Sequence, residues 1–256
     1  MSSSKTTHLV IIPTYNEKEN IFDFINELCN FDISILIVDD NSPDGTGEIV
    51  KKLSSVSDQV NLLSRNSKQG LGSAYRDGFK WGIEKQYKYL LQMDADYSHR
   101  FEDLEQLLAE SHFQDVVIGS RYISGGGSVG WDMKRKLLSL AANKISRIVL
   151  KSNINDMTSG FRCYSERAIS LINFQNTKSD GYSFQIEMSI RSIENKLSIK
   201  EVPIIFNERR LGKSKMSKRI VLEALLFLAN NGVKRWLNIK INYCLLYTSD
   251  AADDRM

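Results

Sequence analysis

The chain has 256 residues, 42% of them apolar and 25% charged, and a net charge of +3. That length is enough to bury a full core, and the composition excludes disordered, collagen-like and low-complexity classes. Cys29, Cys163 and Cys244 form no Cys-x-x-Cys pair, which argues against a disulfide framework or zinc cluster and for a reducing compartment.

In chain order, residues 1–7 are polar and lack the apolar core of a signal peptide. His8–Pro13 is a short apolar run ending at proline, and predicts a buried strand. Asn20–Cys29 has helical periodicity, Ile33–Asp39 predicts a second strand, and Asp44 opens a helix to about Leu53. Val60–Ser64 and Tyr89–Asp94 predict further strands, with a helix over Gly72–Lys85 between them. A helix over Phe101–Ser111 and a strand over Asp115–Gly119 follow. Strands alternating with helices imply an α/β domain whose mainly parallel sheet is covered on both faces. Such sheets bind ligands at the carboxyl ends of their strands. Further on, basic residues cluster over Lys134–Lys136, Arg209–Arg219 and Lys234–Lys240, which solvated faces would also explain. The longest apolar run, Ile220–Ala229, contains Glu223 and is too short to span a bilayer. Cys244 to Asp253 resembles the in-frame translation of a sequencing adapter. Residues 244–256 are therefore expected to be foreign, and a natural C-terminal segment is expected to be missing.

The polar residues concentrate at the predicted strand ends. Pro13-Thr-Tyr-Asn-Glu17 follows the first strand, Asp39-Asp-Asn-Ser-Pro-Asp-Gly45 the second, Asp94-Ala-Asp96 the fourth and Gly119-Ser-Arg121 the fifth. Polar turns explain any one of these loops but not the set on one rim. Asp94 and Asp96 flank a small residue, so their carboxylates can share one divalent cation. Hard oxygen ligands favour Mg²⁺ or Mn²⁺, with substrate phosphates completing the shell. Asp39 and Asp40 can hydrogen-bond a ribose or base, or the turn can be capped by Asn41, Ser42 and Asp44. No G-x-G-x-x-G or Walker A sequence occurs, and Gly70-Leu-Gly72 is too short for either. Gly125–Gly127 reads as a flexible loop near Arg121, either a lid or a plain loop. His99 is the one histidine near the rim, and no Ser-His-Asp or Cys-His arrangement is evident. Carboxylate, metal and guanidinium groups suit transfer chemistry on phosphorylated substrates.

These motifs, with Gly119-Ser-Arg-Tyr122, resemble those of the inverting GT-A glycosyltransferases of family 2. Asp156-Met-Thr-Ser-Gly-Phe-Arg162, Gly181-Tyr-Ser-Phe-Gln-Ile-Glu187 and Glu208-Arg-Arg-Leu-Gly-Lys-Ser-Lys-Met216 narrow the resemblance to the polyprenol (dolichol) monophosphate mannose synthases. The resemblance spans roughly residues 8 to 230. It implies a single GT-A domain over 8–216, a membrane-surface segment over 217–243, and mannosyl transfer from GDP-mannose to polyprenyl phosphate. Pro13, Tyr15, Glu17 and Asp40 would hold the nucleotide; Asp94, Ala95 and Asp96 would carry the metal-bound diphosphate. Arg121, Arg135 and Ser139 would face the acceptor phosphate, and Arg209 and Lys215 would close over the donor. Ser98 stands where some relatives carry a glutamine that touches the metal.

Arg162 is expected either at the site or in a structural ion pair. Gln185 and Glu187 either face the sugar or cap a helix. Ser217–Trp236 either lies in the headgroup region of a membrane or caps the core. The expected setting is the cytoplasmic face of a membrane, with a membrane-anchoring partner subunit or a further C-terminal segment, and no nucleic acid. UDP-glucose is the alternative donor, and a non-catalytic pseudo-transferase the alternative role. A nucleotidylyltransferase would want a glycine-rich basic loop after the first strand, which Pro13–Glu17 does not offer.

Overall fold

The computed structural model describes residues 6–208. Strands β1 (His8–Thr14), β2 (Ser34–Asp39), β3 (Val60–Ser64), β4 (Tyr89–Gln92) and β5 (Val116–Ser120) alternate with helices α1 (Lys18–Leu28), α2 (Thr46–Ser54), α3 (Leu71–Glu84) and α4 (Phe101–Ser111). Then come β6 (Gly127–Val129), α5 (Met133–Val149), β7 (Arg162–Ser165), α6 (Glu166–Ile172), α7 (Gly181–Glu194), β8 (Ile199–Pro203) and β9 (Ile205–Asn207).

The main sheet has seven strands in the order β3-β2-β1-β4-β7-β5-β8. Only β7 runs antiparallel to its neighbours β4 and β5. The mainly parallel, mixed sheet expected from the sequence is therefore present. Strand alternation explains why the strands read as continuous apolar runs. Leu9 and Ile11 of β1 and Leu36 and Val38 of β2 pack with Tyr75 and Phe79 of α3 and Phe184 of α7. Val10, Ile12, Ile35 and Ile37 pack the opposite way, with Phe24 of α1, Val50 of α2 and Leu104 of α4. A sheet buried on both faces needs apolar residues at every position.

Strand order reverses between β1 and β4, the switch point at which such sheets open a crevice. Thr14, Asp39 and Ser120 end their strands on this rim. The antiparallel β7 enters the sheet there too, so Thr158, Ser159 and Gly160 join the same edge. The fourth strand stops at Gln92, two residues short of the expected end, so Met93 and Asp94 turn off the sheet toward the crevice.

The Gly125–Gly127 run differs from its expected flexibility. Gly126 N–H donates to Ile123 O at 2.9 Å and Gly127 N–H to Ile204 O at 2.9 Å, and Gly127 opens β6, which pairs with β9. Backbone pairing, not a hinge, sets this segment. Arg209, Lys215, the helix expected over Ser217–Trp236 and the 244–256 tail lie outside the described residues.

Candidate active site

The rim loops enclose a cavity of about 540 Å³. Pro13, Tyr15 and Glu17 line one end with Asp40, Lys68 and Gly70. Asp94, Ala95 and Asp96 form the floor with His99. Arg121, Trp131 and Arg135 form the far wall with Thr158–Gly160 and Phe206. Asp180, Gly181 and Gln185, at the start of α7, close the side.

At the nucleotide end, Asp39 and Asp40 divide the two readings between them. Asp39 accepts from Thr14 Oγ1 (3.1 Å), Ser42 N–H (3.0 Å) and Ser42 Oγ (2.6 Å), so it caps the turn. Asp44 does the same for Thr46 N–H at 3.0 Å and Lys18 N–H at 3.0 Å. Asp40 faces the cavity, 3.2 Å from Arg65. Burial raises its pKa, against the opposing charge of Arg65. Lys68 stands 4.1 Å above the Tyr15 ring, leaving cation and ring together at the cavity edge.

At the floor, His99 explains how the Asp94-Ala-Asp96 turn is held. Its Nδ1 accepts from Asp94 N–H at 3.2 Å, and its ring stacks on Phe161 at 4.6 Å. Burial pulls its pKa down to about 4, with Arg121 adding to the effect against Asp96. The ring is thus neutral at pH 7 and serves as a backbone clamp, with the accepting nitrogen taken up by Asp94 N–H. Asp96 accepts from Ser98 N–H at 3.0 Å. Among the described residues no group of three or more His, Cys, Asp and Glu side chains gathers to hold a metal. Asp94 and Asp96 are therefore a two-carboxylate donor set. They fit a hard cation whose other positions are taken by phosphate oxygens and water, and do not fit a closed protein cage. Ser98 does not line the cavity.

Arg121 and Arg135 differ in what they can offer. Arg121 Nε and Nη2 each donate to Asp156 at 2.7 Å, and Nη2 also reaches Thr158 Oγ1 at 2.9 Å. Its guanidinium lies 5.3 Å from the Trp131 ring and 5.5 Å from Phe206. Asp156 is wholly buried. Burial pushes its pKa up, but Arg121's charge and hydrogen bonds outweigh that and hold it below the usual carboxylate range. Arg121 is a buried cation in the wall, with much of its fork committed to Asp156. Arg135 stacks 4.1 Å above Trp131 and lies 3.6 Å from Glu208, so it is held by looser contacts than Arg121. Ser139 is not on the cavity wall; the Tyr122 hydroxyl donates to it at 2.6 Å.

The α7 residues separate as well. Gln185 lines the cavity, is 2% exposed, and neither its Oε1 nor its Nε2 has a hydrogen-bond partner among the described residues. A buried amide left open in this way is poised for a polar ligand. Glu187 faces elsewhere: it accepts from Lys178 N–H (3.1 Å) and Ser179 N–H (3.0 Å) and pairs with Arg191 at 2.9 Å. Its expected sugar-facing role gives way to holding the loop before α7. Arg162 is also structural, but through carbonyls: it donates to Ser159 O (2.7 Å), Met157 O (2.8 Å) and Gln185 O (3.1 Å).

Sequence reasoning missed Asp180 and Lys68. The signal for Asp180 was Gly70-Leu-Gly72: Asp180 accepts from Gly72 N–H, and a Cβ at Gly72 would lie 2.8 Å from both Asp180 Oδ1 and Ser179 O. Gly72→Ala is accordingly expected to destabilise the fold by roughly 1–3 kcal/mol. Denaturant melts check this, with Gly127→Ala as the comparison, because a Cβ at Gly127 would meet Ile205 only at an ordinary 3.6 Å.

The buried histidines give a pH prediction. Burial lowers His8, like His99, to about 4. Unfolded histidine titrates near ~6.5. As pH falls from about 6.5 toward 4, the unfolded chain takes up protons that the native fold refuses, so stability falls. Urea midpoints at pH 7.5 and 5.0 measure it, and His8→Gln should reduce the slope.

A parallel-type sheet with an acidic floor and a cationic wall at its switch point is the GT-A arrangement of a glycosyltransferase. The sequence model described as "Glycosyl transferase family 2" matches residues 9–172, and the chain belongs to that family of enzymes. Among its relatives is the "Polyprenol monophosphomannose synthase" of Mycolicibacterium smegmatis, 45% identical over 231 residues, covering 88% of this chain and 87% of the relative. The "Undecaprenyl-phosphate mannosyltransferase" of Micrococcus luteus is 42% identical over 235 residues, covering 91% and 97%. In fold, the chain is similar to the mannosyltransferase PcManGT from Pyrobaculum calidifontis, solved with GDP-Man and Mn²⁺. The TM-score is 0.60 at 13% identity, over 91% of this chain and 65% of that one.

Proposed function

We propose that this enzyme transfers mannose from GDP-mannose to the phosphate of a polyprenyl phosphate, with inversion at the sugar carbon, giving polyprenyl-phosphate-mannose and GDP. The observation that carries the reading is the mixed acidic and cationic lining of the cavity. The carboxylates of Asp40, Asp94 and Asp96 and the guanidinium groups of Arg121 and Arg135 line one cavity, which suits a metal-bound nucleotide donor and an anionic acceptor meeting within it. The names of the two relatives similar over most of the chain support mannosyl transfer to a polyprenyl phosphate.

The chemistry needs little proton handling. A phosphate monoester has its second pKa near ~6 and is already anionic at neutral pH, so its oxygen attacks without a general base. That agrees with a neutral His99 whose accepting nitrogen is occupied by backbone. In this reading Tyr15, Glu17 and Asp40 bind the nucleoside, and Asp94 and Asp96 hold a divalent cation, Mg²⁺ or Mn²⁺. Such a cation, when bound, offsets the charge of the diphosphate as the leaving group. Arg121 and Arg135 draw the acceptor phosphate in and hold it against the donor, reducing a two-substrate encounter to one bound geometry. Gln185 offers its open amide to the sugar hydroxyls. The lipid acceptor implies a peripheral position on the cytoplasmic face of a membrane, with a partner subunit or further C-terminal segment as anchor. Among the described residues no helix is long and apolar enough to cross a membrane.

Arg135→Ala should weaken use of the lipid phosphate more than binding of the sugar nucleotide. A charged phosphate contact is worth roughly 1.5–3 kcal/mol, so kcat/KM for the acceptor should fall by about tenfold to a hundredfold. Equal loss of donor affinity would assign Arg135 to the donor phosphates. The proposed function itself is tested with membranes, the protein and a panel of labelled sugar nucleotides, followed by lipid extraction. Label should enter the organic phase from GDP-mannose. Label only from UDP-glucose would establish the alternative donor.

A further inference from the structure

The partners of the Arg121 side chain, Asp156 and Thr158, sit on the segment between α5 and β7. Residues 155–158 belong to no helix or strand, so side chains must satisfy and orient much of their backbone. Three do so. Asn143, buried with Ser146 on the polar inward face of α5, accepts from Met157 N–H at 2.9 Å and donates to Thr158 Oγ1 at 3.1 Å. Arg162 donates to Met157 O at 2.8 Å. The third is Glu201 of β8, the edge strand of the main sheet.

Glu201 Oε2 accepts from Asn155 N–H at 2.8 Å and from Asn155 Nδ2 at 2.8 Å, while Oε1 accepts from Asp156 N–H at 2.9 Å. One carboxylate thus spans two successive backbone amides with charge-assisted bonds. Holding both amides fixes the backbone on each side of Asn155, and with it the direction in which the Asp156 side chain leaves the chain. Asn155 is tied at its other end as well, where its Oδ1 accepts from Arg147 of α5 at 2.7 Å. Glu201 lies opposite Ile118 in the β5–β8 register, and β5 ends at Ser120, next to Arg121. Both halves of the Arg121–Asp156 pair are therefore referred to the same two strands. The end of β5 carries the arginine, and a side chain of β8 carries the segment that holds the aspartate. A guanidinium fork matches a carboxylate only in a narrow geometry, so the frame decides where the fork points. Glu201 does not line the cavity, and its two oxygens are taken up by these N–H groups. Any effect it has on the reaction passes through Asp156 and Arg121.

We propose that Glu201 is a positioning residue for the acceptor wall, holding Arg121 at the cavity through the Asn155–Asp156 backbone and the Asp156 carboxylate. Its purpose rests on the proposed function, in which Arg121 draws in the acceptor phosphate. The test compares Glu201→Ala and Glu201→Gln in the full chain, with GDP-mannose as donor and a short, water-soluble prenyl phosphate as acceptor. Glu201→Ala should raise KM for the acceptor by roughly tenfold or more, since small misplacements of a binding group are costly. KM for GDP-mannose should stay at the parent value. Glu201→Gln keeps one accepting oxygen and puts an NH₂ in place of the other, so its acceptor KM should fall between those of the parent and Glu201→Ala. Heteronuclear NMR gives a readout besides activity. The Arg121 Nε–H signal, assigned by its loss in Arg121→Lys, should be protected from exchange with water in the parent and lose that protection in Glu201→Ala. The proposal is overturned if both variants keep the parent's acceptor KM. It is also overturned if donor and acceptor KM rise together as the melting point falls, since Glu201 would then serve stability alone. Should Glu201→Ala not fold, the milder Glu201→Gln decides between the same outcomes. A parent chain that transfers no mannose to the prenyl phosphate would refute the proposed reaction, and the Arg121 signal would still show whether Glu201 sets that side chain.

Discussion

Asp96→Ala and Asp94→Asn are each expected to abolish transfer while leaving the fold intact. Both carboxylates line the cavity and neither carries apolar surface of its own, so little hydrophobic burial is lost with them. Held charge opposite a leaving group is worth on the order of 10²–10³ in rate for one donor. Removing half of a two-carboxylate cation site loses the cation as well, so turnover should fall by on the order of a thousandfold or more. Circular dichroism and the urea midpoint should stay within experimental scatter of the parent. EDTA should reproduce the loss in the unaltered enzyme, with Mg²⁺ or Mn²⁺ restoring it. Full activity in EDTA would remove the metal from the account, and Asp94 and Asp96 would then need another role.

Asp156→Ala is expected to damage both stability and activity. The carboxylate is wholly buried and holds Arg121 by two bonds of 2.7 Å. Deleting it strands a buried guanidinium among Tyr122, Trp131 and Phe206. Breaking such a pair costs about 3–5 kcal/mol, which for a domain of this size is a melting-point loss of roughly 10 °C, at about 2–4 °C per kcal/mol. Arg121 should swing from its place in the wall, so kcat/KM for the acceptor should fall with stability. The pH dependence has a definite sign. Asp156's pKa is depressed in the fold, so its contribution is present above the ordinary carboxylate value near ~3.9 and is lost as pH falls through the lower folded value. Acid unfolding of Asp156→Asn should show less of that final loss. Thermal melts from pH 7 to 3 measure both effects, and an unchanged melting point for Asp156→Ala would contradict a structural ion pair here.

What the sequence revealed follows from how each element is stabilised. Strands β1 to β5 were legible because a sheet covered on both faces demands uninterrupted apolar runs. β7 was not, since Arg162-Cys-Tyr-Ser165 begins with an arginine whose needs are met by distant carbonyls. β6 and β9 are three residues each and have no period to detect. Helix α5 hid behind its inverted polarity, with Ser139, Asn143 and Ser146 inward. At the site, Asp94 and Asp96 stood out through their position at a strand end, and the cavity brings them together with Tyr15, Glu17, Asp40, Arg121 and Arg135.

Other expectations meet geometric limits. Gln185 and Glu187, two apart on a helix, point roughly 200° apart, so one cavity cannot take both. Sequence gave no way to choose between them; the open amide of Gln185 and the saturated carboxylate of Glu187 do. Ser139 has the right chemistry for a phosphate but sits one layer behind the wall, under Tyr122. Asp180 was invisible as a lone acidic residue. Only its approach to Gly70 and Gly72, more than a hundred residues earlier, gives it meaning.

The central claim is that a lipid phosphate oxygen, and no hydroxyl, attacks the sugar. The direct measurement is a reaction of purified full chain with GDP-mannose and pure polyprenyl phosphate in detergent, with the lipid product identified by mass spectrometry and phosphorus NMR. A mannose–phosphodiester signal is predicted, appearing in equal amount with GDP, with no product when dephosphorylated polyprenol replaces the acceptor. Release of GDP and free mannose without a lipid product, or mannose carried on the polyprenol hydroxyl, would contradict it.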